Sequence, residues 1–83
     1  MSDYSLGFEY EVLGKTLREF RERAKVTQVE LAERLNQTQS HLSKCERGGI
    51  RLDFVQVRRI CLALEAGFPE FARKYEKNLT ANR

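Results

Sequence analysis

Thr27-Gln28-Val29-Glu30-Leu31-Ala32-Glu33-Arg34-Leu35-Asn36-Gln37-Thr38-Gln39-Ser40-His41-Leu42-Ser43-Lys44-Cys45-Glu46-Arg47 is the stretch that decides the fold. Thr27 and Glu30 have capping-box spacing: the hydroxyl accepts from the Glu30 amide while the carboxylate reaches back to the Thr27 amide. Val26 and Leu31 stand at the two positions of a hydrophobic staple. A helix therefore opens at Gln28 and runs to about Leu35, burying Leu31, Ala32 and Leu35. Asn36 accepts the left-handed backbone that ends a helix without a glycine. Thr38 caps the next helix, from Gln39 to about Arg47, which turns Leu42 and Cys45 inward and stops at Gly48-Gly49. Two helices this short cannot bury a core of their own, so they lean on the rest of the chain and present what they carry.

The flanking sequence supplies that support. From about Glu9 to Lys25, Tyr10, Leu13, Leu17, Phe20 and Ala24 recur at helical spacing. After the central pair, Asp53-Phe54-Val55-Gln56 is a second capping box, with Leu52 and Val57 as staple. Phe54, Val57, Ile60, Cys61 and Leu64 form the buried stripe of a fourth helix, and Gly67 is its expected end. Pro69 suits the first turn of a fifth, with Phe68, Phe71 or Ala72, Tyr75 and Leu79 on one side. No run alternates strictly enough for a strand, and 83 residues with one proline and no tryptophan make one all-α domain.

Composition narrows the function. The net charge is only +3, but residues 34–59 hold six bases against Glu46 and Asp53, while residues 1–33 hold five bases and seven acids. That places a basic face on a nearly balanced chain, which suits phosphate. Cys45 and Cys61 are too far apart for a redox or zinc pair, and His41 is the one histidine, so no metal and no cofactor is expected. No nucleophile–base pair or phosphate-binding glycine loop argues for an enzyme. The first residues lack the basic-then-apolar pattern of a signal peptide and nothing is long and apolar enough to span a bilayer. A cytoplasmic protein with free thiols and no membrane partner is expected.

Gln28, Leu31-Ala32, Leu35, Leu42, Glu46 and Gly48, followed by Ile60 and Leu64, resemble the signature of the lambda-repressor-like, Cro-type helix-turn-helix family across about residues 13–66. The resemblance implies a five-helix DNA-binding domain whose helix-turn-helix is formed by helices 2 and 3, with helix 3 in the major groove of double-stranded DNA. It assigns base contact to Thr38, Gln39, Ser40 and Lys44. Their chemistry agrees, since glutamine pairs with adenine N6 and N7, lysine donates to guanine, and serine and threonine adapt to base or phosphate. The family places Gln28 against phosphate at a helix start and pairs Arg21 with Glu46 as an internal salt bridge that sets the angle of helix 3. Arg47 and Arg51, which follow helix 3 where the DNA backbone would pass, are further phosphate candidates. His41 faces DNA or solvent.

The expected organisation is a lead-in at 1–8, a helix-turn-helix domain at 9–67 and a C-terminal helix and tail at 68–83. One such module reads few base pairs, so a transcriptional regulator, a repressor bound as a homodimer to a palindromic operator, is the leading expectation. Phe71, Tyr75 and Leu79 are the candidate dimer contact. The alternative is a protein-interaction module, such as an antitoxin or adaptor, using the first 12 residues and the last helix on a protein partner. Three departures from the family pattern stand out. Lys25 and Asn36 fall where it often has glycine, proline is missing between Gly48 and Asp53, and Cys45 replaces a larger side chain, which would loosen packing or leave the thiol reachable.

Overall fold

The computed structural model describes residues 4–81. Five helices follow in order: α1 (Tyr4–Arg23), α2 (Gln28–Arg34), α3 (Gln39–Glu46), α4 (Phe54–Ala63) and α5 (Phe68–Ala81). The fold is all-α, as expected, with no strand among the described residues. α1 begins ahead of Glu9, so residues 4–8 of the expected lead-in are helical; residues 1–3 and the tail at 82–83 lie outside the described residues.

Local chemistry sets the boundaries. Both capping boxes close. The Glu30 amide donates to Thr27 Oγ1 at 3.1 Å and the Thr27 amide to Glu30 Oε1 at 2.8 Å. Asp53 and Gln56 repeat the exchange at 2.7 and 2.8 Å. The Thr27 bonds hold the Glu30 carboxyl below its ordinary pKa. Helix ends share one device, a left-handed residue followed by an amide that reaches back along the last turn. Lys25 (φ 60°) and Asn36 (φ 57°) act so after α1 and α2, with Val26 N donating to Arg21 O at 3.2 Å and Gln37 N to Ala32 O at 2.8 Å. α4 ends the same way at Glu65 (φ 55°), where Ala66 N donates to Cys61 O at 2.9 Å. Gly67 is therefore not its terminator; its carbonyl instead accepts from the Phe71 amide and belongs to the start of α5.

Leu17 and Phe20 of α1, Leu31 and Ala32 of α2, Leu42 and Cys45 of α3, Val57, Ile60 and Cys61 of α4 and Phe71 of α5 share one core. Phe20 and Phe71 meet edge to face, 5.1 Å between centroids. Tyr10 of the expected α1 stripe is half-buried outside the core cluster, and two other stripe residues are exposed. Ala24 falls in the turn beyond α1 and is exposed. Phe54 is 70% exposed because the first residue of α4 overhangs the end of the core, its ring edge-on to Phe68 at 4.9 Å. Cys45 is fully packed, with no looseness at the thiol, and burial pushes its pKa up; burial takes Cys61 to about 11.

α5 docks onto α1 and α4. Phe71 and Leu79 are buried there and the Tyr75 hydroxyl donates to Glu9 O at 3.1 Å, so the face expected to meet a second copy is consumed within the domain. Polar side chains lock the same seam. Thr16, wholly buried, donates to Val12 O at 2.7 Å and accepts from Asn78 Nδ2 at 2.9 Å, and Asn78 also donates to Glu19.

Candidate nucleic-acid interface

The position of α3 is set from α1. A Cβ added to Gly14 would lie 2.5 and 2.6 Å from the backbone oxygens of Glu46 and Cys45, so α1 and α3 approach as closely as only glycine allows. Just beyond, Gly48 (φ +81°) turns the chain against Glu11, whose Cα would stand 2.7 Å from an added Cβ. Arg21, two turns along α1 from Gly14, completes the seat. Its Nε donates to Glu46 Oε2 at 2.6 Å, its Nη2 to Glu46 Oε1 at 3.1 Å and its Nη1 to Val26 O at 2.8 Å. The pair is buried, and the hydrogen bond to Glu46 raises the Arg21 pKa above its ordinary value against the cost of burial.

A chain of hydrogen bonds leads outward from that pair. Gln28 Nε2, at the start of α2, donates to Glu46 Oε1 at 2.9 Å. Gln28 Oε1 in turn accepts from Gln39 Nε2, at the start of α3, at 3.3 Å. Arg21, Glu46, Gln28 and Gln39 thus form one path from the core to the surface.

At about 100° per residue, Gln39, Ser40, Ser43, Lys44 and Arg47 fall within one face of α3, opposite Leu42 and Cys45. Thr38, Gln39, Ser40, Lys44 and Arg47 are exposed. Thr38 Oγ1 accepts from the His41 amide at 3.0 Å, so its hydroxyl serves as the helix cap. Ser43, which sequence reasoning passed over, lies between Gln39 and Ser40 on this face and accepts from Arg47 Nη1. Helical phase was the signal that could have found it. His41 is half-buried on the other flank of α3. Arg51 is exposed on the segment after α3. Among the described residues neither Lys44 nor Arg51 forms an ion pair. Arg34, counted in the basic segment, has a structural task instead: its Nη1 donates to Ala63 O at 2.8 Å, across the end of α4.

The face is a convex polar surface with amide, hydroxyl and cationic groups, and among the described residues no group of His, Cys, Asp and Glu is arranged to hold a metal. Nor is any helix of these residues long and apolar enough to cross a membrane.

Comparison with known proteins matches this fold. A family model described as a helix-turn-helix domain matches residues 12–73. No curated protein matches the chain by sequence. Among solved structures, the chain is similar to the clp gene regulator ClgR from Corynebacterium glutamicum. In one structure of that regulator it is 31% identical over 84% of this chain and 90% of the other, with a TM-score of 0.79. In a second it is 30% identical over 89% and 79%, with a TM-score of 0.83. It also has the fold of the restriction-modification controller protein C.Esp1396I, at 22% identity over 88% and 96% of the two chains and a TM-score of 0.81. With the family model spanning α1 to α5 and the ClgR likeness running along most of both chains, this protein belongs to the helix-turn-helix domain family of DNA-binding transcription regulators.

Proposed function

We propose that the protein is a repressor that occupies a palindromic operator as a homodimer, α3 of each copy lying in the major groove. The observation that carries this reading is the exposed face of α3, held at a fixed angle by the buried Arg21–Glu46 pair. Gln39, Ser40 and Lys44, with Thr38 at the cap, contact bases; Gln28, Arg47 and Arg51 contact phosphates. The reading needs no cofactor and no catalytic group and suits a cytoplasmic protein. Half-sites about 34 Å apart suit a domain measuring 37 × 24 × 20 Å, since two copies can stand side by side at that spacing. In the homodimer the contact falls on the outer face of α4, where Phe54, Val55 and Leu62 are 70%, 59% and 57% exposed.

The test is the salt dependence of duplex affinity together with the solution mass. Phosphate contacts predict a steep linear fall of log affinity with log salt, and Arg51→Ala shallows that slope by about one. A dimer mass for the wild type that falls to the monomer in Leu62→Glu supports the α4 contact. Salt-insensitive or absent duplex binding would instead favour a protein-interaction module.

A further inference from the structure

We propose that the cleft bounded by α1, the start of α4 and α5 binds an organic cation with an apolar body, of the aryl or alkyl quaternary-ammonium type. Two adjoining hollows of about 240 and 180 Å³ meet there, with Tyr75 as a shared wall. Together they lie at the small end of the ~300–1,000 Å³ of small-molecule sites. Phe54 and Phe68 form one corner, their rings 4.9 Å apart between centroids and 77° to each other. Tyr75 and Tyr10 line the cleft further along. Two nearly perpendicular rings present a π-face on more than one side of the corner they make, and π-faces attract cations. Charge agrees with the aromatic lining. The chain carries a net +3, yet among the described residues the lining holds two acids, Asp53 and Glu9, and no lysine, arginine or histidine. Neither carboxylate forms an ion pair among the described residues. Asp53 gives Oδ1 to the Gln56 amide at 2.7 Å, which leaves Oδ2 for a ligand. Burial and then the charge of Glu9 raise the Tyr75 pKa, so this wall is both poorly solvated and negative, the setting in which a cation–π contact is strongest. An anion would meet two carboxylates there, and a neutral apolar molecule would use neither. At about 100° per residue, Phe54 stands a quarter turn around α4 from Val55 and Leu62, so the cleft adjoins the proposed dimer face without coinciding with it. The site does not depend on the operator reading.

The full chain, isotope-labelled for amide NMR, is titrated with benzyltrimethylammonium and in parallel with phenylacetate and with benzyl alcohol, all at constant ionic strength. The ammonium is expected to give saturable shifts confined to the amides around Tyr10, Asp53, Phe54, Phe68 and Tyr75, with a Kd of about 1 mM or tighter. Phenylacetate and benzyl alcohol should bind at least about fivefold more weakly. Asp53→Asn removes the charge and keeps a helix cap, and Phe54→Leu changes a side chain that is 70% exposed, so both variants retain the fold. Each should weaken ammonium binding by about twofold or more. Shifts that do not saturate, or that spread over acidic residues elsewhere, would overturn the proposal. Equal affinity for all three probes, or an affinity unchanged in both variants, would do the same. Cleft amides that shift with protein concentration and not with the ammonium would show that a second copy covers the cleft instead.

Discussion

Replacing Glu46 with alanine tests how α3 is held. The substitution removes an acceptor that takes bonds from Arg21 Nε, Arg21 Nη2 and Gln28 Nε2, and leaves the Arg21 guanidinium in a site where its side chain is 10% exposed. Stranding one partner of a buried pair costs about 3–5 kcal/mol, chiefly because the remaining charge loses both solvent and counter-charge. A domain of 83 residues has a total stability of about 4–12 kcal/mol at ~0.05–0.15 kcal/mol per residue, so the loss is about a quarter of it or more. At about 4–8 °C per kcal/mol for this size, the melting temperature should drop by at least about 12 °C. Thermal unfolding followed by far-UV circular dichroism measures this, and Arg21→Met/Glu46→Leu should recover most of the loss because neither charge is then buried. A fall of less than about 4 °C for Glu46→Ala, equivalent to ~1 kcal/mol, would refute the claim that the pair is a buried clamp.

Other perturbations address separate parts of the fold. Gly14→Ala forces a methyl group against two backbone carbonyls and should cost about 1–3 kcal/mol or more in a denaturant titration, where an exposed helical glycine would instead gain stability. Lys25→Gly and Glu65→Gly relieve left-handed backbone worth about 1–2 kcal/mol, partly offset by unfolded-state entropy, and should each stabilise by roughly 0.5–1 kcal/mol in the same assay. Cys45 and Cys61 should resist thiol reagents at pH 8 until the protein is denatured. Because the folded Cys61 pKa lies above the unfolded one, its ionisation favours the unfolded chain: stability should decline as pH rises from about 9 toward 11, a decline that Cys61→Ala lessens. Glu30 titrates in the opposite sense. Its lowered carboxyl stabilises α2 above the ordinary carboxylate pKa and loses that effect as pH falls through the folded value, which an NMR titration of the Glu30 side chain would follow.

What was legible in the sequence was local. Thr27 with Glu30 and Asp53 with Gln56 announce helix starts because each box is completed within four residues, and Asn36 announces a stop because few residues tolerate its backbone. Glu65 was hidden by the same logic: nothing in a glutamate signals a left-handed turn, and Gly67 offered a more obvious end. Gly14 reads as a weak helical residue until α3 is known to pass within van der Waals reach of it. The stripe on α5 marked a face to be covered, but periodicity does not say whether the cover is α1 or another molecule. The site divided similarly. Gln39, Ser40 and Lys44 were visible as a facing set on one short helix, and the Arg21–Glu46 pairing came from family likeness, being 25 residues apart and without local trace. The link from Glu46 through Gln28 to Gln39 crosses from the end of α3 to the start of α2 and back to the start of α3, and leaves no local trace in the sequence.

The most direct measurement is selection of duplexes from a random library at about 150 mM salt by the wild type and by Gln39→Ala/Lys44→Ala. The account predicts an enriched inverted repeat with half-site centres about one helical turn apart, degraded by the double variant at particular base pairs. Enrichment of the same repeat by both proteins, or of none by the wild type, would contradict the claim that the exposed face of α3 reads DNA.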